Sequence, residues 1–195
     1  EYTKATRMGK LAYRIQRHPI VIGFAWLTVF LYNICLAPVF QDVKKHWDSV
    51  VSLLACAAVV FGLWYFVDFS TALLAYIIPV WIASAVGAYL FYVQHNIPEI
   101  KVFHEDEWTY QKAALESSSF ITMSPVMHWF TGNIGFHHVH HLNPLVPFYR
   151  LPEAMKAIPE LQNPPTTTLG LKDMYKCLRL KLWDDHDQKF KGFSE

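Results

Sequence analysis

Three long stretches without a charged residue occupy the first half of this 195-residue sequence and limit its possible folds more than any other feature. They cover residues 19–41, 49–67 and 69–94. A helix that crosses a membrane needs about 20 apolar residues, so the second and third stretches qualify. A single charged residue, Asp68, separates these two stretches, and neither has the polar face of a soluble helix. The sequence therefore predicts a transmembrane helical hairpin over residues 49–94.

Basic residues predict the orientation of this hairpin. Its tip at residues 68–70 has no Lys or Arg, whereas lysines flank the hairpin on both sides. By the positive-inside rule, we expect both ends to face the cytoplasm. Residues 1–18 then form a basic cytoplasmic segment. Residues 19–41 have positive charge on both sides, which favours a re-entrant or interfacial segment, although their length also allows a full span.

The overall composition excludes several other classes of protein. Apolar residues make up 53% and charged residues 17%, against about 45–50% and 25% in an average globular domain. The net charge of +1 provides no basic surface for nucleic acid.

Residues 95–195 have proline-containing turns and most of the acidic residues, so we expect a cytoplasmic helical domain that ends in a basic amphipathic helix near residues 171–183. The predicted class is all-α.

Four of the ten histidines lie within residues 137–141. Ser124 and Pro125 are favourable residues for the start of a helix, which we predict to continue to about residue 143. At about 100° per residue, His137, His140 and His141 share one face of that helix. Imidazole is the commonest protein ligand for transition metals, so these three are predicted metal ligands. The alternative is a polar helix face with solvated histidines.

His95 follows the third apolar stretch and is predicted as a fourth ligand, with an interfacial polar residue as the alternative. Four further residues are predicted to orient the ligand imidazoles, as hydrogen-bonded outer groups commonly do. These are Asp106, Glu107, Asn133 and His138. For the acidic pair, a solvated turn is the alternative. His128 lies about opposite the predicted ligand face, so we expect a structural role for it.

Two sequence segments resemble the membrane fatty acid desaturase family. FYVQHNIPEIKVFHEDEWTYQKAALESSSF is similar to the segment that precedes the third histidine box of acyl-lipid desaturases, and GNIGFHHVHHLNPLVPFYRLPEAMKAIPEL is similar to that box. The resemblance implies two non-haem iron ions, and no catalytic residues beyond their ligands. It also implies O2, electrons from a ferredoxin or a cytochrome b5-type donor, and a cis double bond introduced into the acyl chain of a membrane lipid or a thioester.

Members of this family have two earlier histidine boxes, which this sequence lacks. We therefore expect a C-terminal part of a longer enzyme, without its N-terminal half and inactive alone, whose metal site faces the cytoplasm. Two alternatives remain open. One is a membrane hydroxylase or other oxygenase of the same histidine-box type, and the other is a non-catalytic membrane protein that binds metal.

Overall fold

The computed structural model describes residues 2–193 and is mostly helical, which confirms the predicted class at that level. Contacts divide the chain into two compact units. We call Thr3–Leu90 the apolar unit and the part from Phe91 onward the histidine unit.

The apolar unit consists of helices throughout. Its first part contains α1 (Arg7–Gln16), α2 (Pro19–Gly23), a π-helical segment (Trp26–Leu36), α3 (Ala37–Gln41) and α4 (Trp47–Phe66). A second long helix, Phe69–Val93, combines α5 (Phe69–Ala72), a π-helical turn (Leu73–Ile77) and α6 (Ile78–Val93).

Proline explains where the π-helical segments lie. Pro38 and Pro79 each follow the last residue of such a segment by two positions. A proline inside a helix lacks an N–H, and its ring collides with the carbonyl group four residues earlier. A widened turn before the proline relieves that collision, so the helix continues instead of ending.

Two helices, Trp47–Phe66 and Phe69–Val93, are long and apolar enough to cross a membrane. Few of their side chains are buried within the chain, and many apolar ones are exposed where a soluble protein would have polar groups. Asp68 caps the second helix, because its two carboxylate oxygens accept from the main-chain N–H of Thr71 at 2.8 Å and from its hydroxyl at 3.0 Å. The orientation of the hairpin and the re-entry of residues 19–41 stay predictions.

The histidine unit contains short helices and four short strands, and the strands were not part of the predicted all-α class. Its helices are α7 (Tyr110–Glu116), α8 (Pro125–Phe130), α9 (His137–Leu142), α10 (Leu151–Ala157) and α11 (Leu171–Arg179), with 3-10 turns at Phe148–Arg150 and Pro159–Leu161. Strands β1 (Phe120–Thr122) and β2 (Thr166–Thr168) pair in parallel, and β3 (Leu182–Asp184) and β4 (Lys189–Lys191) pair antiparallel.

Helix α11 ends at Arg179, before the predicted end near residue 183. Leu180 has an extended backbone with ψ of 127°, and the N–H of Lys181 donates to the carbonyl oxygen of Lys191 at 2.8 Å. The last residues of the amphipathic pattern therefore belong to the start of the β3–β4 hairpin.

Apolar side chains between α9, α10 and the following 3-10 turn form the core that supports α9. Val139, Leu151 and Leu161 are at most 2% exposed. Leu115, Phe136 and Leu142 are among the partly buried residues that pack against them. The histidine-rich helix is therefore anchored by the apolar residue at its centre.

Replacing Leu161 with Ala should destabilise the histidine unit by about 2–5 kcal/mol, because the lost methyl groups leave a cavity in this core. Thermal or denaturant unfolding of the detergent-solubilised chain measures the effect. Leu145→Ala is the matched control, since Leu145 is 87% exposed and its loss should change stability by less than about 0.5 kcal/mol. Equal effects of the two substitutions would contradict this description of the core.

Candidate metal centre

A turn separates α8 from α9. The hydroxyl of Ser124 accepts from the N–H of Met127 at 3.2 Å, and Pro125 occupies the first helical turn, as predicted. However, α8 ends at Phe130, and Gly132 and Asn133 both have left-handed backbones, with φ of +58° and +56°. The single helix predicted from Ser124 to about residue 143 is therefore wrong, because two successive left-handed residues cannot continue a right-handed helix.

The turn over residues 131–136 is fixed from two sides. The side-chain amide of Asn133 donates to the carbonyl oxygen of Phe148 at 3.0 Å. The N–H of Ile121 donates to the carbonyl oxygen of Gly135 at 2.9 Å, and a Cβ at position 135 would lie only 2.7 Å from the carbonyl oxygen of Ile121. The close approach of β1 therefore requires glycine at position 135, and it sets the start of α9.

Three imidazole side chains converge within the histidine unit. The Nε2 atoms of His95 and His137 are 2.9 Å apart, those of His95 and His141 are 3.1 Å apart, and those of His137 and His141 are 2.9 Å apart. We call these three side chains the imidazole cluster. His137 and His141 lie one helical turn apart on α9, whereas His95 comes from the segment that follows the helix Phe69–Val93.

The hydrogen-bonding pattern makes this cluster suitable for a cation. His95 donates from Nδ1 to the carbonyl oxygen of Ser117 at 2.8 Å, so in its neutral form its Nε2 bears a lone pair. A metal bound to imidazoles at about 2.1 Å places two neighbouring nitrogen atoms about 3.0 Å apart in an octahedral site and about 3.4 Å apart in a tetrahedral one. The three observed distances match the octahedral spacing, so these residues fit a transition metal.

Burial lowers the pKa of both cluster histidines on α9. His137 is 5% exposed, and desolvation lowers its pKa to about 3, with a further contribution from the neighbouring histidines. The pKa of His141 is also lowered, first by burial and then by the charges of His95 and His140. Only a neutral imidazole offers a lone pair to a metal, so the histidine unit holds these donors in the form that binds.

The carbonyl group of Ser117 orients His95, and its place in the fold is well defined. Ser117 caps the C-terminal end of α7, and its N–H donates to the carbonyl oxygen of Ala113 at 3.0 Å. Its hydroxyl donates to the carbonyl oxygen of Lys101 at 2.7 Å. The sequence gives no signal for this interaction, because every residue has a carbonyl oxygen whatever its side chain.

The remaining predicted histidines lie outside the imidazole cluster. The ring centres of His140 and His137 are 5.8 Å apart, and His140 offers no atom to the group of three. His138 is fully buried and contacts the carbonyl oxygen of Leu161 through Nε2 at 3.2 Å. His128 packs against the rings of Phe120 and Phe136, and burial lowers its pKa.

Within residues 2–193, none of the predicted orienting groups is hydrogen-bonded to an imidazole of the cluster. Asp106 and Glu107 are exposed. Asn133 holds the turn that precedes α9. His138 fixes α9 to the 3-10 turn at Pro159–Leu161. Asn133 and His138 therefore hold the backbone that bears the histidines in place.

Comparisons with known proteins agree on one family. The sequence profile described as "Fatty acid desaturase" matches residues 4–168. A "Fatty acid desaturase" of Bacillus subtilis (strain 168) is 34% identical over 200 residues, which cover 99% of this chain and 54% of that protein. A "Delta(12)-fatty-acid desaturase" of Arabidopsis thaliana is 28% identical over 127 residues, covering 63% of this chain and 32% of that protein.

A third relative, an "Acyl-lipid (9+3)-(E)-desaturase" of Dimorphotheca sinuata, is 32% identical over 90 residues, which cover 45% of this chain and 23% of the plant protein. The chain thus spans about half the length of the Bacillus relative, and the matched regions of the two plant relatives cover a third of them or less.

Without metal, the histidine unit should lose stability as the pH falls. The pKa of His137 lies below its ordinary value of 6.5 in the fold, so the unfolded chain takes up the proton first. The contribution of His137 is complete above about pH 6.5 and is lost progressively toward about pH 3. His138, whose pKa is lowered to about 4, acts in the same direction.

Thermal unfolding of the chelator-treated chain between about pH 7.5 and about pH 4.5 measures this dependence. This range covers the titration of an unfolded histidine. His137→Gln should flatten the dependence because the amide does not titrate. His104→Gln is the control, since His104 is exposed and paired with Asp185 on the surface. A melting temperature of the unsubstituted chain that stays constant over this range would contradict the prediction.

Proposed function

Because this chain belongs to the fatty acid desaturase family, we propose that it forms a metal-binding part of a membrane enzyme that introduces a double bond into a fatty acyl chain. The observation that carries the proposal is the imidazole cluster, in which three nitrogen donors meet at the spacing of metal ligands. This cluster lies within a region that matches the family along most of the chain.

We propose iron as the metal, with two ions in the complete enzyme. His95, His137 and His141 would hold one ion, and His140, which lies on the same helix outside this group, would contribute to the second. Iron supplies the activation of O2 that removal of hydrogen from an unactivated methylene group requires. Within residues 2–193 the structure brings together one group of three histidines, too few for two ions, so we expect the chain to be inactive without histidines from elsewhere in the enzyme.

The chain's own residues prepare this chemistry. Burial of His137 keeps its lone pair free of a proton and excludes water from one side of the site. The carbonyl oxygen of Ser117 fixes the ring of His95, as outer hydrogen bonds do for metal-bound histidines. The overall reaction would combine the two acyl hydrogens, O2, two electrons and two protons into two molecules of water, and we propose no catalytic residue beyond the ligands.

The partners and the location follow from the same proposal. The substrate is an acyl lipid or an acyl thioester, which receives a cis double bond, and the electrons come from a ferredoxin or a cytochrome b5-type protein. Two helices long and apolar enough to cross a membrane support an integral membrane protein. The lysines that flank these helices favour a metal site on the cytoplasmic side.

Alanine at position 137, 140 or 141 should abolish desaturation by the full-length protein, with a loss of at least about 100-fold, because each substitution removes a proposed ligand. The measurement is gas chromatography of fatty acids from a host that expresses each variant at equal levels. His186→Ala is the control, since the His186 side chain is 95% exposed and its loss should leave product formation unchanged. Activity retained by the His141 variant would refute the ligand assignment.

The identity of the product and of the metal separates this function from its alternatives. An alcohol in place of an alkene would assign the protein to the hydroxylases. Zinc that stays bound during aerobic purification, with no iron taken up on anaerobic reconstitution, would indicate a non-catalytic metal protein.

A further inference from the structure

Gln94, the residue directly before His95, is almost completely buried, with 1% of its surface exposed. Its side-chain amide donates from Nε2 to the carbonyl oxygen of Ile134 at 3.0 Å. Ile134 lies in the turn before α9, three positions before His137. One buried side chain therefore connects the segment that bears His95 directly to the turn that starts the helix of His137 and His141.

The main chain of Gln94 is held as well. Its carbonyl oxygen accepts from the N–H of Ser119 at 3.0 Å. On the other side of His95, the amide of Asn96 donates to the carbonyl oxygens of Cys177 at 2.7 Å and Leu180 at 3.0 Å. Of these contacts, the one through the Gln94 side chain is the link to the turn before α9.

A shared metal limits the distance between the donors on the two segments. His95 and His137 are 42 positions apart in the sequence, yet their Nε2 atoms, 2.9 Å apart here, must stay within about 3.5 Å of each other for one metal to bind both. The hydrogen bond between Gln94 and Ile134 joins the two segments close to these ligands. Gln94 is one residue before His95, and Ile134 is three residues before His137. A shift of either segment would change the distance between the donors directly.

We propose that Gln94 is a positioning residue of the metal centre, whose amide sets the distance between His95 and the pair on α9. Gln94 acts through the backbone on both sides and does not itself touch the metal. The inference rests on the proposed metal centre and adds to it a residue outside the ligand set.

The test is a titration of the metal-free, detergent-solubilised chain with Co²⁺, whose visible absorption reports the number and arrangement of its ligands. Gln94→Met keeps the length of the side chain and removes the donor. We expect it to bind Co²⁺ about 10-fold to 100-fold more weakly, with a changed absorption band, because the loss of outer hydrogen bonds weakens metal sites by that factor.

Tyr92→Phe is the matched control. The Tyr92 hydroxyl donates to the carbonyl oxygen of Leu180 at 2.8 Å, so this substitution also removes a hydrogen bond from the same segment to a backbone carbonyl, but not one to the turn before α9. Its affinity and absorption band should match those of the unsubstituted chain. Gln94→Asn is the second variant, since it keeps a buried amide that is one methylene too short to reach Ile134, and it should weaken binding like Gln94→Met.

Each outcome decides between the proposals. Unchanged affinity and absorption in both Gln94 variants would overturn the positioning role while leaving the metal centre intact. An equal loss in Tyr92→Phe would assign the effect to general packing and would also overturn it. Unfolding of both metal-free Gln94 variants beside a folded Tyr92→Phe would assign Gln94 to the fold instead. Absence of Co²⁺ binding by the unsubstituted chain would refute the metal centre itself, and the positioning role with it.

Discussion

The approach of three imidazole nitrogens to within about 3 Å of one another is the constraint on which the histidine unit depends. Three protonated rings could not share this space, because like charges at that distance repel strongly and burial penalises each charge further. The fold meets this constraint by burying His137 and by using Nδ1 of His95 as a donor to Ser117, which leaves Nε2 free. A cation at the centre then satisfies all three lone pairs at once, which no arrangement of shared protons does.

The two ligand-bearing segments are held in different ways. Helix α9 has only six residues, too few to be stable by itself, and it depends on Val139 packing against Leu151 and Leu161. His95 lies outside any helix, and contacts on both sides of it fix its position. Packing therefore supports one side of the imidazole cluster, and directional hydrogen bonds support the other. Hydrogen bonds give the finer control of distance, since their strength falls steeply with misalignment.

Sequence alone predicts the elements that follow from composition or from a strong local pattern. The two long apolar helices follow from the absence of charge, and the start of α8 follows from Ser124 and Pro125. The turn at Gly132 and Asn133 was not predicted from the sequence. The spacing of the histidines favoured a continuous helix, although this dipeptide is typical of turns. Strand β1 was also missed, since it is three residues long and pairs with a strand more than 40 positions away.

The position of His95 explains why two of the three histidines predicted as ligands on α9 meet it and one does not. At about 100° per residue, His137 and His141 lie about 40° apart on the helix, and a partner between them reaches both. His140 lies about 60° to the other side of His137 and about 100° from His141, so a donor placed for the first pair excludes it. A six-residue helix thus presents nitrogen donors in two directions. If iron binds as proposed, histidines of α9 would hold both ions, and binding of either ion would join this helix to donors from elsewhere in the protein, so that metal binding and assembly of the site would be one process.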